Sequence, residues 1–548
     1  MLRPAVISPK NAAILSFAGL ALILTAFVVY SFRFIERTSF EIEGQKYYAL
    51  FDDAMISMQY ARNLAEGDGL VWNAGGERVE GFSNPLWVLY MAFFHLFPIA
   101  SSQISLALQV SGAVFLFADL VVVWMIARQY LEGYLTPLLA VFLTAFYFHL
   151  NNWSLQGMEV GLLALLLSAA AWLALRSWKA GAFSPWPYVL LAIGTLVRID
   201  MVVPLAVLSV FLAWRDSINR RRHLLWGFGL LTTSLVLQTA FRYWYYGEWL
   251  PNTYYLKIVG IPLGDRLQRG LAAFLDFVWD SGWFLVVLPL LLLLLWPETP
   301  TLLLFGLLLG QIGYSFYVGG DAWEHKGGAN RFIALAMPLF FLLFVQTLDK
   351  LRRSLVQMKS SGWVPLVSQG LLAVFVFTSL FSFNIIKEND AFNKWVTLKR
   401  PPFVAGTERY VNLGLLINEI TDAQAKIAVV TAGNIIYFAE RTGIDMLGKS
   451  DKVVARSQPH ANGGSFDNVE EIFRPGHNKW DYQHSIVELQ PDIVSQIWGS
   501  SQEMDPYLEA GGYEYFEIDG FPLYIRVDSE HVHWDLVDSR INNRSQEP

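Results

Sequence analysis

Two adjacent carboxylates, Asp52 and Asp53, open the stretch "DDAMISMQYARNLAEG" shortly after a long apolar segment. Charged groups this close to hydrocarbon are costly, so they usually face water, a partner or a substrate. The stretch predicts a helix, and one aspartate is enough to cap its free backbone N–H groups. The other would be available as a general base or metal ligand, with its pKa raised by desolvation. Capping alone is the alternative interpretation.

Four more charged residues lie on the predicted outer face. Arg62 follows about three turns along the same predicted helix. Glu159 begins a span, and Arg198 and Asp200 flank the break "RID" between two spans. Each residue alone is typical of an ordinary interfacial charge. Because the predicted topology places them on one face, we interpret them together as candidate substrate-binding residues.

The stretch "FRYWYYGEWLPNTYYLK" combines aromatic rings, an amide and cations. Rings and amides suit hydroxyl-rich ligands through stacking and paired hydrogen bonds, and cations can neutralise a phosphate. An interfacial aromatic belt is the alternative. The candidate substrate-binding residues here are Arg242, Asn252, Tyr254, Tyr255 and Lys257.

The stretch "YVGGDAWEHKGGANRF" places mixed charges between glycines at the mouth of a span. The candidate binding residues are Asp321, His325, Lys326 and Arg331. Asp321, Glu324 and His325 could hold a divalent metal, but their spacing is not specific for one. A flexible loop is the alternative. The loop lacks the Lys-Ser or Lys-Thr ending of a P-loop, so nucleotide binding is not indicated.

The composition is that of a polytopic membrane protein. The chain has 548 residues, of which 54% are hydrophobic, and its mean hydropathy is +0.37. A net charge of −7 argues against a nucleic-acid partner, and the absence of cysteine excludes disulfides and thiol chemistry. We predict about eleven spans. Their ranges are 11–32, 104–127, 135–150, 157–175, 184–198, 200–214, 224–246, 272–296, 301–318, 331–348 and 363–384.

Charge predicts the orientation. Basic clusters at 176–179, 215–222 and 350–359 should share the cytoplasm with the N-terminus, under the positive-inside rule. With the other predicted spans, all of these clusters reach the cytoplasm only if 85–100 lies along the outer surface and 184–214 crosses the membrane twice. We read the first segment as an uncleaved anchor. The polar loops and the C-terminal region then all fall on the outer face.

The sequence predicts two domains. Residues 1–384 form a helical transmembrane domain whose first outer loop is 33–103, and residues 385–548 form a small soluble α/β domain. In the latter, "KIAVV" and "PDIVSQIW" read as strands, "TAGNIIYFAERTG" as a turn and helix, and "YEYFEIDGFPLYIRV" as a hairpin with an Asp-Gly turn.

The first-loop run "DDAMISMQYARNLAEGDGLVWNAGGERVEGFSNPLW" resembles that of GT-C superfamily glycosyltransferases, especially mycobacterial terminal arabinofuranosyltransferases. "GMEVG", "YYGEWLPNTYYLK", "YVGGDAWEHKGGANRF" and "RPGHNKWD", which carries His477, resemble later landmarks in the same order. Met55 and Gln59 depart from the pattern, where an aromatic residue and an arginine are expected. The resemblance implies a polytopic α-helical GT-C fold of about eleven helices with a C-terminal α/β domain.

The resemblance also implies an activity. It is transfer of a sugar, arabinofuranose among the candidates, from a polyprenyl-phosphate donor to an envelope glycan or glycolipid on the periplasmic side of a bacterial inner membrane. An aspartate of the first outer loop is the base, which maps to Asp52 in preference to Asp53. His477 joins the substrate-binding candidates, and acceptor binding is the expected role of the C-terminal domain. The sequence indicates no particular cofactor and leaves a divalent metal open.

Two other classes of function compete with this reading. A transporter or flippase for lipid-linked sugars would also need a polar cavity among spans. Such proteins commonly show inverted repeats and a site at the midplane, whereas the polar residues here crowd one predicted face. A sensor or assembly scaffold would not need the paired aspartates. Product formation by the purified protein separates the enzyme from both.

Overall fold

The structure is a computed structural model that describes residues 9–324, 329–357, 364–460 and 474–544. Contacts divide the chain into two compact units. The first comprises 1–37, 109–237 and 263–401, and the second 38–108, 238–262 and 402–548. Residues 38–108 and 238–262 therefore belong to the same unit as the C-terminal region. The sequence-based domain boundary at 384–385 stays a prediction.

The first unit is helical because its segments are long apolar runs broken by Pro, Gly and charged residues. The phenylalanine rings of Phe340, Phe341, Phe344 and Phe383 pack together in its core with centroids 5.4–6.0 Å apart. Its helices are Leu135–Ala145, Phe148–Leu155, Val160–Lys179, Trp186–Val197, Val202–Arg215, Leu263–Asp280, Trp283–Val287, Leu290–Leu295, Thr299–Val318, Arg331–Ala334, Met337–Gln357, Val364–Phe383 and Ala391–Trp395, together with most of Pro9–Thr38, Ser101–Tyr130 and Arg220–Tyr246, each of which has one end in the second unit.

Among the described residues, six helices are long and apolar enough to cross a membrane. A seventh span is formed if the helices of 263–295, which bend by 106°, are counted as one. Several segments predicted to span form helices of only 11–14 residues, namely Leu135–Ala145, Trp186–Val197 and Val202–Arg215. The predicted membrane protein is confirmed, while the count of about eleven spans stays a prediction.

Two local features of the predicted topology are present. The chain breaks at "RID", where a 3₁₀ turn, Ile199–Met201, separates two helices and Arg198 has an extended backbone. The segment predicted to lie along the surface forms the helix Pro85–His95, whose 11 residues are too few to cross a bilayer.

The second unit contains a sheet and shorter helices. Strands β1 (Phe40–Ile42) and β2 (Gln45–Tyr47) form a hairpin just before the predicted helix, Asp52–Glu66, which ends at Gly67 in the left-handed conformation. The other helices are Pro85–His95, Asn252–Lys257, Val404–Ile420, Asn434–Ala439, Lys452–Arg456, the π-helix Gln483–Glu488, Ser501–Ala510 and Trp534–Arg544.

The C-terminal sheet confirms the predicted α/β character. Its strands are β3 (Lys426–Val429), β4 (Thr442–Asp445), β5 (Ile493–Val494), β6 (Tyr513–Ile518) and β7 (Phe521–Arg526). Their order is β4-β3-β5-β7-β6, with β3 parallel to β4 and β5 and the other pairs antiparallel. Asp519 and Gly520 form the predicted turn between β6 and β7, both at positive φ.

The predicted orientation can be tested by labelling single cysteines, because the native chain has none. Ser501 and Ser217 are both exposed, so either position should accept a cysteine. We expect Ser501→Cys to react with a membrane-impermeant maleimide in intact cells, and Ser217→Cys to react only after lysis. The reverse pattern would refute the orientation derived from the basic clusters.

Candidate active site

The two aspartates begin the helix Asp52–Glu66 but do not cap it. The N-cap residue is Phe51, and no side chain caps this end. Asp52 and Asp53 occupy the first turn, where their negative charge interacts favourably with the helix dipole. The predicted capping hydrogen bond is therefore wrong, and both carboxylates point to partners elsewhere in the second unit.

Asp52 accepts hydrogen bonds from the start of a helix that is distant in the sequence. One carboxylate oxygen accepts the backbone N–H of Asn434 at 2.8 Å, and the other accepts the N–H of Gly433 at 3.3 Å. The side-chain amide of Asn434 lies at 3.3 Å. Asp52 thus satisfies backbone donors at the beginning of Asn434–Ala439, a helix without a side-chain cap of its own. These bonds fix the carboxylate in one orientation.

Only glycine fits beside this carboxylate. A Cβ atom on Gly433 would lie 2.1 Å from the backbone oxygen of Asp52 and 2.8 Å from its carboxylate. A side chain at residue 433 would therefore push apart the two segments that hold Asp52.

Burial raises the pKa of Asp52, as the sequence led us to expect. The residue is 8% exposed, and desolvation is the largest cause of the shift. The N–H donors of Asn434 and the charge of Lys449 oppose it. A carboxyl whose pKa is moved upward is a stronger proton acceptor, which suits general-base chemistry near neutral pH.

Asp53 forms an ion pair with Lys449, a residue that the sequence did not single out. The Lys449 ammonium is 2.5 Å from the Asp53 carboxylate, and both side chains are 15% exposed. Lys449 also lowers the pKa of Asp52. A cation therefore stands beside both aspartates, where it can balance their charge or meet an anionic ligand.

The loop that carries Lys449 is organised by a buried carboxylate. Asp445 accepts the backbone N–H groups of Leu447, Gly448 and Ser450 at 2.7–3.1 Å. Burial raises the pKa of Asp445 to about 6 against these lowering contacts. The loop is consequently closed by its own side chain and holds Lys449 at a defined place.

Asn252, a predicted substrate-binding residue, forms hydrogen bonds to the same loop. Its side-chain amide donates to the carbonyl oxygens of Gly448, Lys449 and Asp451 at 2.9–3.1 Å. Its oxygen accepts from Arg456 at 3.1 Å, and the residue is 4% exposed. Asn252 thereby acts as a positioning residue in this structure, and ligand binding by its amide stays a prediction.

His477 is buried close to the same charges. Burial, followed by the cations Lys449 and Arg474, lowers its pKa to about 3. The imidazole is therefore neutral near pH 7. The charge of Asp53 acts on the ring in the opposite sense. His477, a candidate from the sequence, thus lies within electrostatic reach of Asp53 and Lys449 as a neutral group and not as a cation.

Arg62 and Arg242, both predicted to bind substrate, have protein partners. Arg62 lies over the Tyr437 ring at 4.4 Å and donates to the Tyr437 carbonyl at 2.9 Å. Arg242 makes a two-point ion pair with Glu80, a carboxyl whose pKa burial raises and Arg242 lowers. These contacts give each arginine a structural role, and substrate binding by them stays a prediction.

The tyrosines beside Asn252 lie on the same short helix. The Tyr255 ring lies under the Arg456 guanidinium at 4.1 Å, and the Tyr255 carbonyl accepts from Lys479 at 3.0 Å. Tyr254 is half-buried. The Lys257 side chain lies against Gly476, next in sequence to His477, where an added Cβ would be 3.1 Å from it.

In the first unit, the structure brings Glu159, Arg198 and Asp200 together. Arg198 donates to Glu159 at 2.9 Å and to both oxygens of Asp200 at 2.7 and 3.0 Å. The exposed fractions are 2%, 6% and 0%. Phe332 covers the guanidinium at 5.0 Å. The structure thus joins these three residues in one ion-paired cluster, while their place on the outer face and their binding of substrate stay predictions.

Asp321 and Arg331 form a second buried pair of the first unit, joined by two contacts of 2.6 and 2.7 Å. Arg269, which the sequence did not single out, donates to the Asp321 carbonyl at 2.8 Å and pairs with Glu324 at 2.8 Å. His325 and Lys326 lie outside the described residues.

A metal site is not visible among the residues that the structure describes. No group of three or more His, Asp and Glu side chains there could hold an ion. Asp321 and Glu324 are each paired with an arginine, which does not suit a cation site. Metal dependence stays open, and we derive no step through a metal.

Sequence reasoning missed Lys449, Asp445 and Arg269. Each is a common residue type without a motif around it. The sequence "GKSD" that follows a strand could have pointed to Lys449, because a glycine and small polar residues at the end of a strand predict a tight loop.

Comparison with solved structures shows that the chain has the fold of GT-C membrane glycosyltransferases, which confirms the fold expected from the sequence. ArnT from Cupriavidus metallidurans bound to undecaprenyl phosphate is similar with a TM-score of 0.53 and 11% identity, over 93% of this chain and 98% of ArnT. The apo oligosaccharyltransferase of Archaeoglobus fulgidus is similar with a TM-score of 0.53 and 11% identity, over 94% of this chain and 75% of that one.

Sequence comparisons add little to the fold. Residues 403–528 match a family described as a domain of unknown function, DUF8728. Comparison with curated proteins gives no match. Identities of 11% show a shared fold and leave the substrate open. The particular likeness to arabinofuranosyltransferases stays a prediction.

Proposed function

We propose that this protein is a membrane glycosyltransferase that moves a sugar from a polyprenyl-phosphate donor to a hydroxyl of an acceptor glycan or glycolipid. The observation that carries the proposal is Asp52, a buried carboxyl of raised pKa held in place by backbone donors and next to the Asp53–Lys449 pair. The GT-C fold supports it, because ArnT of this fold has been solved with undecaprenyl phosphate.

The chemistry needs one base and one charge stabiliser. The acceptor hydroxyl oxygen forms a bond to the anomeric carbon of the donor sugar, and its proton goes to the Asp52 carboxylate. The bond between the anomeric carbon and the phosphate oxygen breaks, and the polyprenyl phosphate leaves with that electron pair. A direct displacement of this kind inverts the anomeric centre.

Negative charge grows on the phosphate as this bond breaks. A fixed cation stabilises that charge more in the transition state than in the ground state. Lys449 is the cation that the second unit places beside the aspartates, and Lys257 lies against the segment that carries His477. We propose these two lysines as the phosphate ligands of the second unit.

The finer features of the reaction follow from the sequence resemblance. We propose that transfer takes place on the periplasmic face of a bacterial inner membrane, that the acceptor belongs to the cell envelope, and that arabinofuranose is the first sugar to test. A lipid donor also accounts for carboxylates close to a long apolar segment, because the reacting phosphate then lies at the membrane surface.

Purified full-length protein provides the test. We expect it to release polyprenyl phosphate from synthetic polyprenyl-phosphate arabinofuranose or hexose in equal amount to the sugar that enters an envelope glycolipid extract. Mass spectrometry follows both products. Release in the absence of acceptor would mean hydrolysis only. No release from any donor, with translocation of the intact lipid-linked sugar in vesicles, would replace the proposal by a flippase.

A further inference from the structure

A cavity of about 800 Å³ lies within the second unit and shares no lining residue with the Asp52 site. Its walls come from the β1–β2 hairpin, the helix Val404–Ile420, the start of β7 with its preceding turn, and the C-terminal helix. The volume is within the range of sites for small organic ligands.

The lining combines two aromatic rings with two side-chain amides, and Phe521 is the more exposed of the two rings. Tyr47 and Phe521 line it, and the Arg409 guanidinium is stacked on Phe521 at 4.8 Å. The amides of Gln45 and Asn412 are also in the lining, and each donates within the protein through one amide nitrogen. Amide oxygens and ring faces together recognise hydroxyl groups and the apolar faces of sugar rings.

The charge of the lining is negative. Four carboxylates, of Glu43, Glu408, Glu419 and Asp519, stand against two guanidinium groups. One of these guanidinium groups, that of Arg540, is held by two carboxylates, Glu419 and Asp519. An anionic ligand would therefore meet net repulsion, whereas an uncharged polyol would not.

We propose that this cavity binds a neutral oligosaccharide, which is the part of the acceptor that precedes the reacting sugar. The proposal rests on the function proposed above. Tyr47 is only five residues before Asp52, so their Cα atoms are at most about 18 Å apart. A short glycan held at Tyr47 and Phe521 can present its end to the Asp52 carboxylate at that distance.

Binding can be measured without donor and without turnover. Saturation-transfer NMR on the full-length protein in nanodiscs would use neutral hexasaccharides of gluco-, manno-, galacto- and arabino-configuration, with oligogalacturonate of the same length as the charged probe. We expect at least one neutral hexasaccharide to bind, and Phe521→Ala to weaken it by about tenfold through loss of ring stacking. Oligogalacturonate should not compete.

Tyr515→Ala is the matched control, because Tyr515 lies on the same hairpin, is 55% exposed and is not in the lining. It should bind as the native protein does. Absence of binding by all four neutral probes, or equal loss in both variants, would overturn the proposed cavity function. Sugar transfer without binding here refutes the cavity function and leaves the enzyme. Binding without transfer refutes the enzyme and leaves a saccharide-binding cavity whose ligand is not an acceptor.

Discussion

We expect Asp52→Asn to slow sugar transfer by about two to four orders of magnitude, the usual contribution of general-base catalysis. Asparagine keeps the size of the side chain, and its oxygen can still accept the Asn434 N–H, but it cannot take a proton from the acceptor. Donor binding should survive, because removing a negative charge does not weaken a site for phosphate by repulsion. Initial rates and donor affinity are measured at equal amounts of folded protein.

Asp53→Asn is the paired variant, and we expect a smaller loss. It removes the charge that Lys449 contacts but leaves the proton acceptor. Lys449→Met removes the cation, so it should weaken donor binding and slow transfer together if Lys449 meets the phosphate. Full activity in Asp52→Asn with loss in Asp53→Asn would exchange the two roles. Full activity in both would end the base hypothesis.

The pH dependence provides a separate check on Asp52. The base acts in its charged form, so transfer should fall as pH decreases through the pKa of Asp52. Burial raises that pKa, which moves the loss of activity toward neutral pH compared with an exposed aspartate. The residual activity of Asp52→Asn should lack this limb of the profile.

The second large effect concerns folding. Arg198→Met should destabilise the protein by about 3–5 kcal/mol, the cost of leaving partners of a buried ion pair uncompensated. Two carboxylates, Glu159 and Asp200, would remain in a region where they are 2% and 0% exposed. The measurement is the thermal midpoint and the folded yield in detergent, followed by size-exclusion chromatography.

Arg176→Met is the control for this change. Arg176 is an exposed arginine of the same unit, stacked on Trp172 at 5.5 Å, and its replacement should have little effect. Combining Arg198→Met with Glu159→Gln and Asp200→Asn should restore part of the stability, because no uncompensated charge remains. Equal midpoints for Arg198→Met and Arg176→Met would show that the triad is not a structural ion pair.

Short-range patterns in the sequence predicted the local structure around the site. The helix that begins at Asp52 ends at Gly67 because a left-handed residue is cheapest as glycine. The Asp519–Gly520 turn follows from the same local rule, whereas the break at Arg198 to Asp200 was predicted from the distribution of the basic clusters. Three apolar runs form helices of only 11–14 residues, so the length of an apolar run did not by itself predict the number of spans.

The partners of the predicted residues needed the tertiary structure. Asp52 binds backbone groups 381 and 382 residues away, and Asp53 pairs with a lysine 396 residues away. No local pattern encodes such a contact. The role of Asn252 could not be predicted for the same reason, because an amide side chain can bind a sugar as well as it binds the carbonyl groups of a loop.

The sequence by itself determined that this is a membrane protein with paired carboxylates at the start of a helix, a break between two helices at Arg198 and an α/β region at its C-terminus. Hydropathy, turn residues and helix ends act over a few neighbouring positions, so they can be read from the chain. Only the tertiary structure decided that Asp52 is buried against Gly433 and that Lys449 stands beside Asp53. Burial and charge pairing depend on which distant segments pack together, and these two factors set the pKa of the proposed base.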